Sequence, residues 1–344
     1  MVARRHLAWL AALTGIAILL PAGCGGAQTT PTPSPQAAGS LGDGWAWDGA
    51  KWRQLGGRGP SPRYSAALAY DAQRKVFVLY GGQTAKGSSD ETWTWDGTAW
   101  KMQSPAHKPP ARRNAAMAYE PAHQAVVLYG GHIQGREGEG VIGADTWTWD
   151  GTDWTEVDIG PGAPGKRSGA SMVTSRSNVV LFGGYYANVE YYGDAWAQDG
   201  KAWFRVDQAP RPAGRGNSAV AWNPTDESLF VYGGAGLNAA AGGGAGGLPL
   251  SDAWSLSGGK WSELKPSGPP ALTYANAIWD QKGNRWTVLL GLSCPAPSDA
   301  AWAWDGAAWS KLASPGMSAR WGAAVAQAPD GRALLFGGSD QSGC

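Results

Sequence analysis

The stretch WTWDGTAW, Trp93 to Trp100, places three tryptophans in eight residues of a chain that holds 21. Clustered indoles bind sugars and quaternary ammonium groups, and they also fill cores. Recurrence separates the two readings. WAWDGAKW begins at Trp45, WTWDGTDW at Trp147, WAQDGKAW at Trp196, WSLSGGKW at Trp254 and WAWDGAAW at Trp302. The six starts lie 48, 54, 49, 58 and 48 residues apart. Each copy closes on a Trp seven residues after its first.

A second element alternates with the first. RYSAALAYDAQRKVFVLYGG begins at Arg63, and its counterparts begin at Arg112, Arg167, Arg215, Leu272 and Arg320. It reads as a hairpin: a small-residue strand such as Ser65–Tyr70, a polar turn, then the apolar strand Val76–Tyr80. Continuous apolarity over five residues suits a strand buried on both faces. The Gly pair that follows ends it. In the Trp element, Trp93 and Trp95 share one strand face, Asp-Gly makes a tight turn, and a last strand begins near Trp100. Four antiparallel strands in about 50 residues describe one blade of a propeller.

Arg before a small-residue strand, Gly-Gly after an apolar one, and Trp at fixed spacing resembles the kelch repeat. The resemblance covers residues 42 to about 340. Copy five departs from it, with Leu272 for Arg and Gly291-Leu292 for Gly-Gly; copy four has Ser257-Gly258 for Asp-Gly. The chain begins with a Trp element and ends with an Arg element. The expected fold is therefore an all-β, six-bladed β-propeller of four-stranded antiparallel blades. N-terminal outer strands pair with C-terminal inner strands to close it, which leaves no open sheet edge.

Sixteen of the 21 Trp fall at repeat positions, and what recurs in every blade serves packing. Function is expected where the blades differ, in the loops after each Gly-Gly. Blade two offers His132 and Arg136. Blade three offers Tyr185, Tyr186, Tyr191 and Tyr192 around Glu190, rigid contact area with polar tips that suits protein or sugar. The five arginines Arg63, Arg112, Arg167, Arg215 and Arg320 have two readings. One is an anion-binding ring at the channel mouth. The other pairs each with an acid near a Trp strand: Asp43, Glu91, Asp145, Asp194 or Asp252. Cys294 and Cys344 fall in equivalent loops of adjacent blades and are expected to form a disulfide.

Some kelch propellers are enzymes. Relatives of galactose oxidase hold copper with Tyr and His; here only His107 and His132 could share the loop face, a weak metal site. Sialidases join an Arg triad to a Tyr nucleophile and an acid. The repeated Asp-Gly differs from their Asp-x-Gly box. The expectation is a non-enzymatic binding module for a protein or glycan, with no catalytic residue, cofactor or metal. The alternative is a glycan-acting enzyme, which needs an acid beside a loop-face Tyr and three converging Arg.

The N-terminus sets location. Arg4 and Arg5, the apolar run Leu7 to Leu20 and Ala22-Gly23 read as an export signal, residues 1–23. Cys24 follows, and the stretch resembles a bacterial lipoprotein box, with Pro21 where that box usually has Leu. The resemblance implies a lipid on Cys24 and anchorage at the outer face of the cytoplasmic membrane; secretion is the alternative. Residues 24–40 form a Pro-stiffened tether, and residues 41–344 the propeller. Without the signal, 26 basic side chains face 27 acidic ones, and nothing points to nucleic acid. A monomer is expected, touching membrane only through its anchor.

Overall fold

Val76–Tyr80 lies between Ala67–Asp71 and Thr92–Trp95, with Trp100–Met102 outermost, all antiparallel. Phe77 to Tyr80 are fully enclosed, as an apolar run between two strands and two neighbouring sheets requires. The computed structural model describes residues 39–342, except 136–139, 159, 161, 188–189, 238–246 and 266–267. The export signal, most of the tether, Cys24, Arg136 and Cys344 lie outside the described residues.

Among the described residues six such four-stranded sheets form. Their innermost strands are Ala67–Asp71, Ala116–Glu120, Ser171–Thr174, Ala219–Asn223, Asn276–Asp280 and Ala324–Gln327. Each neighbours the next, and the last returns to the first, so the sheets close into a β-propeller. The closing sheet joins the chain ends. Ala324–Gln327 and Ala333–Phe336 form its inner half, Gly44–Trp47 and Trp52–Gln54 its outer half. The register runs from Gly44↔Phe336 to Trp47↔Ala333.

The tryptophans hold adjacent sheets together. In five of the six sheets the last Trp reaches back to the aromatic residue that ends the second strand of the sheet before; sheet five ends that strand in Leu289. Trp154 meets Tyr80 at 5.2 Å, Trp203 meets Tyr129 at 5.1 Å, and Trp261 meets Phe182 at 5.3 Å, all edge-on. Trp309 meets Tyr232 at 5.4 Å, and Trp100 meets Phe336 at 5.3 Å, across the closing seam. Such pairs contribute ~1 kcal/mol beyond the area they bury. None of the sixteen repeat tryptophans is exposed. The Asp-Gly turns hold themselves: the Asp96 carboxylate accepts the Thr98 hydroxyl and the N–H groups of Ala99 and Thr98, which pulls its pKa down to about 2.

Sheet five corrects the sequence register. The second Gly of each pair donates its N–H to the carbonyl at the Arg position of the next sheet, as Gly82 does to Arg112 and Gly338 to Arg63. In sheet five Gly291 makes that bond, to Arg320. The equivalent pair is therefore Leu290-Gly291, not Gly291-Leu292. Leu290 takes the first Gly's left-handed backbone, at φ +61°.

Candidate functional site

The five repeated arginines do not form a ring open at the channel mouth. Each is at most 1% exposed. Arg63 pairs with Glu91, Arg112 with Asp145, Arg167 with Asp194, Arg215 with Asp252 and Arg320 with Asp43, at 2.6 to 2.8 Å. The same acid accepts the indole N–H two residues on, as Asp145 does from Trp147 at 2.7 Å. Burial works to raise the Asp145 carboxyl, but the bonds from Arg112 and Trp147 hold it below its usual range. The guanidinium also donates to the first Gly carbonyl of its own sheet, as Arg112 does to Gly130 at 2.9 Å. These are cross-ties within a sheet, each guanidinium bonded to its acid and to a backbone carbonyl.

Sheet five lacks the whole arrangement. Leu272 stands for Arg, Ala300 for the acid and Leu290 for the first Gly. Both leucines are buried, at 2% and 0% exposed. With no acid beside it, the buried Trp302 Nε1 has no hydrogen-bond partner among the described residues.

The tyrosine hairpin does not present one surface. Tyr185 pairs with Tyr191 and Tyr186 with Glu190, so strand alternation sends them to opposite sides. Tyr186 and Glu190 are exposed. The Tyr191 hydroxyl accepts the Gly247 N–H at 2.8 Å, tying the hairpin to sheet four's loop. Tyr192 lies under the Arg167 guanidinium at 4.3 Å, beside Glu190. Burial first, then Glu190, push its phenol up. Tyr185 alone turns toward the axis, against Gly169 and Gly216.

At the axis the loop face is closed by backbone. Ser65, Asn114, Gly169, Asn217, Tyr274 and Gly322 all take left-handed φ between 54° and 64°. Each donates its N–H to the carbonyl of its counterpart in the sheet before, from Asn114 to Ser65 at 2.9 Å round to Ser65 to Gly322 at 2.7 Å. The result is a closed annulus of six hydrogen bonds. Tyr274 is the one aromatic residue in this conformation, which costs a bulky residue ~1–2 kcal/mol. Such strain gathers at functional sites. Its phenol reaches the Asn114 side chain in the opposite sheet, and burial pushes its pKa up. Beneath the annulus the innermost strands enclose a cavity of 510 Å³ walled largely by small residues such as Ala67, Ala116 and Ala221.

The residues just after the Arg position crown this annulus: Tyr64, Arg113, Ser168, Gly216, Thr273 and Trp321. They make an asymmetric dish. Trp321 sits 5.0 Å from both Tyr64 and Tyr274, and these three rings form an aromatic side; Tyr185 stands apart on sheet three, against Gly169 and Gly216. Arg113, Asn114 and Asn217 form a polar side. All of these rings and polar groups are half-buried. His132 pairs in register with Arg113 at its edge. Burial and the Arg113 charge lower the His132 pKa. His107 instead bonds Asp153, in the Asp-Gly turn of sheet two, so the two histidines do not share a site.

Sequence reasoning placed His132 and Tyr185 here and missed Tyr64, Arg113, Asn114, Asn217, Tyr274 and Trp321. Their signal was the position after each Arg, where the copies disagree between two that agree.

The family model of the KLHDC2/KLHL20/DRC7 Kelch-repeats domain matches residues 45–201 and again 96–291. No curated protein matches the sequence. Among solved structures, one described as "Structure of YjhT" superposes with a TM-score of 0.64 at 15% identity, covering 82% of this chain and 95% of that one. A likeness at that identity concerns the fold alone.

Proposed function

Because this chain belongs to the Kelch-repeat family of β-propellers, we propose that it is a binding module, without catalytic activity, that takes a glycan or protein in the axial dish of its loop face. The observation that carries the reading is the break in symmetry at one ring of positions. The frame repeats six times, yet the residues crowning the annulus divide into an aromatic side and a polar side. Packing needs no such division, and it includes a strained aromatic residue. Tyr and Trp supply contact area at low entropic cost, and amides beside them suit hydroxyls and peptide groups. The export signal and Cys24 support a lipid-anchored module on the outer face of the membrane.

The alternative, a glycan-acting enzyme, has one element in its favour, the placing of Tyr192 beside Glu190 and Arg167. It needs three converging arginines as well, and the five repeated ones are each tied within a sheet. Tyr192 is also shifted away from the phenolate form a nucleophile uses.

The test is capture of glycans and extracytoplasmic proteins by the immobilised domain, residues 39–344. Tyr64→Ala and Trp321→Ala should each weaken capture at least tenfold, about 1.4 kcal/mol, with unchanged folding. Tyr186→Ala, on the far side of its hairpin, should leave it intact. Undiminished capture by both dish variants would place the site elsewhere.

A further inference from the structure

Fourteen arginines lie among the described residues. Twelve of them pair with a carboxylate, from Arg53 with Asp48 to Arg332 with Asp330. Arg58, without one, is exposed. Arg113 is the remaining case. It is half-buried, and its Nη1 donates to a neutral amide oxygen, that of Gln83, at 2.9 Å. Its charge acts on the Tyr64 and Tyr274 phenols and on His132, and no carboxylate acts on Tyr64 or His132 among the described residues. A partly desolvated guanidinium with unused donors is favourable ground for an anion. Its planar fork fits a carboxylate through two parallel bonds.

We infer that Arg113 anchors the carboxylate of an acidic sugar, a uronic acid unit of a glycan, whose ring lies against Tyr64, Trp321 and Tyr274. This rests on the axial dish being the binding site. The Gln83 amide meets the guanidinium at 2.9 Å and Asn114 follows Arg113 in the chain, which places amide groups beside the carboxylate position for sugar hydroxyls. A peptide terminus fits less well. Peptides add to open strand edges or have their carboxylates caught in nests of free N–H groups. Here the six N–H groups of the annulus are all bonded to one another.

Binding of glucuronate- and galacturonate-containing oligosaccharides, and of their carboxyl-reduced counterparts, tests this by calorimetry on the intact domain. The acidic sugars should bind at least tenfold more tightly than the reduced ones, and added salt should narrow the gap. Arg113→Gln should abolish that preference. Arg113→Lys, which keeps charge and loses the fork, should retain part of it. Equal binding of acidic and reduced sugars, or an unchanged preference in Arg113→Gln, overturns the inference. So does binding of free C-terminal peptides without binding of uronates. Binding that appears only in a Glu137→Gln, Glu139→Gln double variant also overturns it, because the guanidinium would then have its carboxylate within the chain. Loss of capture in Trp321→Ala alongside a silent Arg113→Gln sinks this inference and spares the dish; silence in both sinks the dish as well.

Discussion

Arg112 and Leu272 occupy equivalent places in two sheets, and the difference shows what a buried ion pair requires. Arg112 is fully buried on Asp145, Pro110 and Gly130. Removing one partner strands the other. Asp145→Ala should therefore cost about 3–5 kcal/mol in urea unfolding. Removing both charges, by Arg112→Leu with Asp145→Ala, copies the chemistry of sheet five and should cost less than the single change. A double variant less stable than Asp145→Ala would show that the pair stabilises beyond its desolvation. His132 makes a second residue-scale prediction. Its folded pKa is lowered by burial and Arg113, so the folded state resists a proton that the unfolded chain accepts near pH 6.5. The stability it allows at neutral pH is lost as pH falls below that value. His132→Gln should lose less stability than the parent between pH 7.5 and pH 5, measured by urea midpoints. Equal losses would refute the assignment.

The Gly pair that ends each second strand is where one sheet meets the next. A Cβ on Gly233 would lie 2.4 Å from the Leu272 carbonyl, and its φ is +60°. Gly97, in a turn at φ +100°, has nothing within 4 Å of a Cβ. Gly233→Ala should cost clearly more than Gly97→Ala, roughly 3 against 1 kcal/mol, since it adds a backbone clash to the left-handed penalty. Equal losses in thermal unfolding would show that the seam can yield. The sequence made this seam legible, because every sheet must solve it and a repeated solution is visible. It misled at sheet five, where the buried Leu272 and Leu290 stand for Arg and Gly, and the next Gly-Leu imitates the motif. The axial dish escaped for the opposite reason. Tyr64, Arg113 and Trp321 share a place in the fold without sharing a residue type. No periodic signal marks them, and the left-handed turn that collects them depends on the annulus.

At the scale of the molecule, the ring is held shut by its own chain ends. Gly44–Trp47 pairs with Ala333–Phe336, Arg320 bonds Asp43 across 277 residues of chain, and Ser40 bridges Ser339. The terminal segments therefore lie side by side: the Asp340 N–H reaches the Gly39 carbonyl at 3.2 Å. Starting the chain after Leu55 would leave Ala333–Phe336 with an open edge, a template for aggregation, and Arg320 buried without its acid. Such a truncation should aggregate and lose cooperative unfolding. The same residues returned at the other end should restore the fold. A permuted chain that begins at Gly56 and joins Cys344 through a short Gly-Ser linker to Gly39–Leu55 keeps every strand pair. It cuts the chain where Gly56 to Arg58 are exposed, the kind of site at which permutation is tolerated. Its melting temperature should fall within a few degrees of the parent, and its uronate affinity should be unchanged. A permutant that stays unfolded would mean that the N-terminal strands must be made first, and that closure depends on the order of synthesis as well as on the pairing.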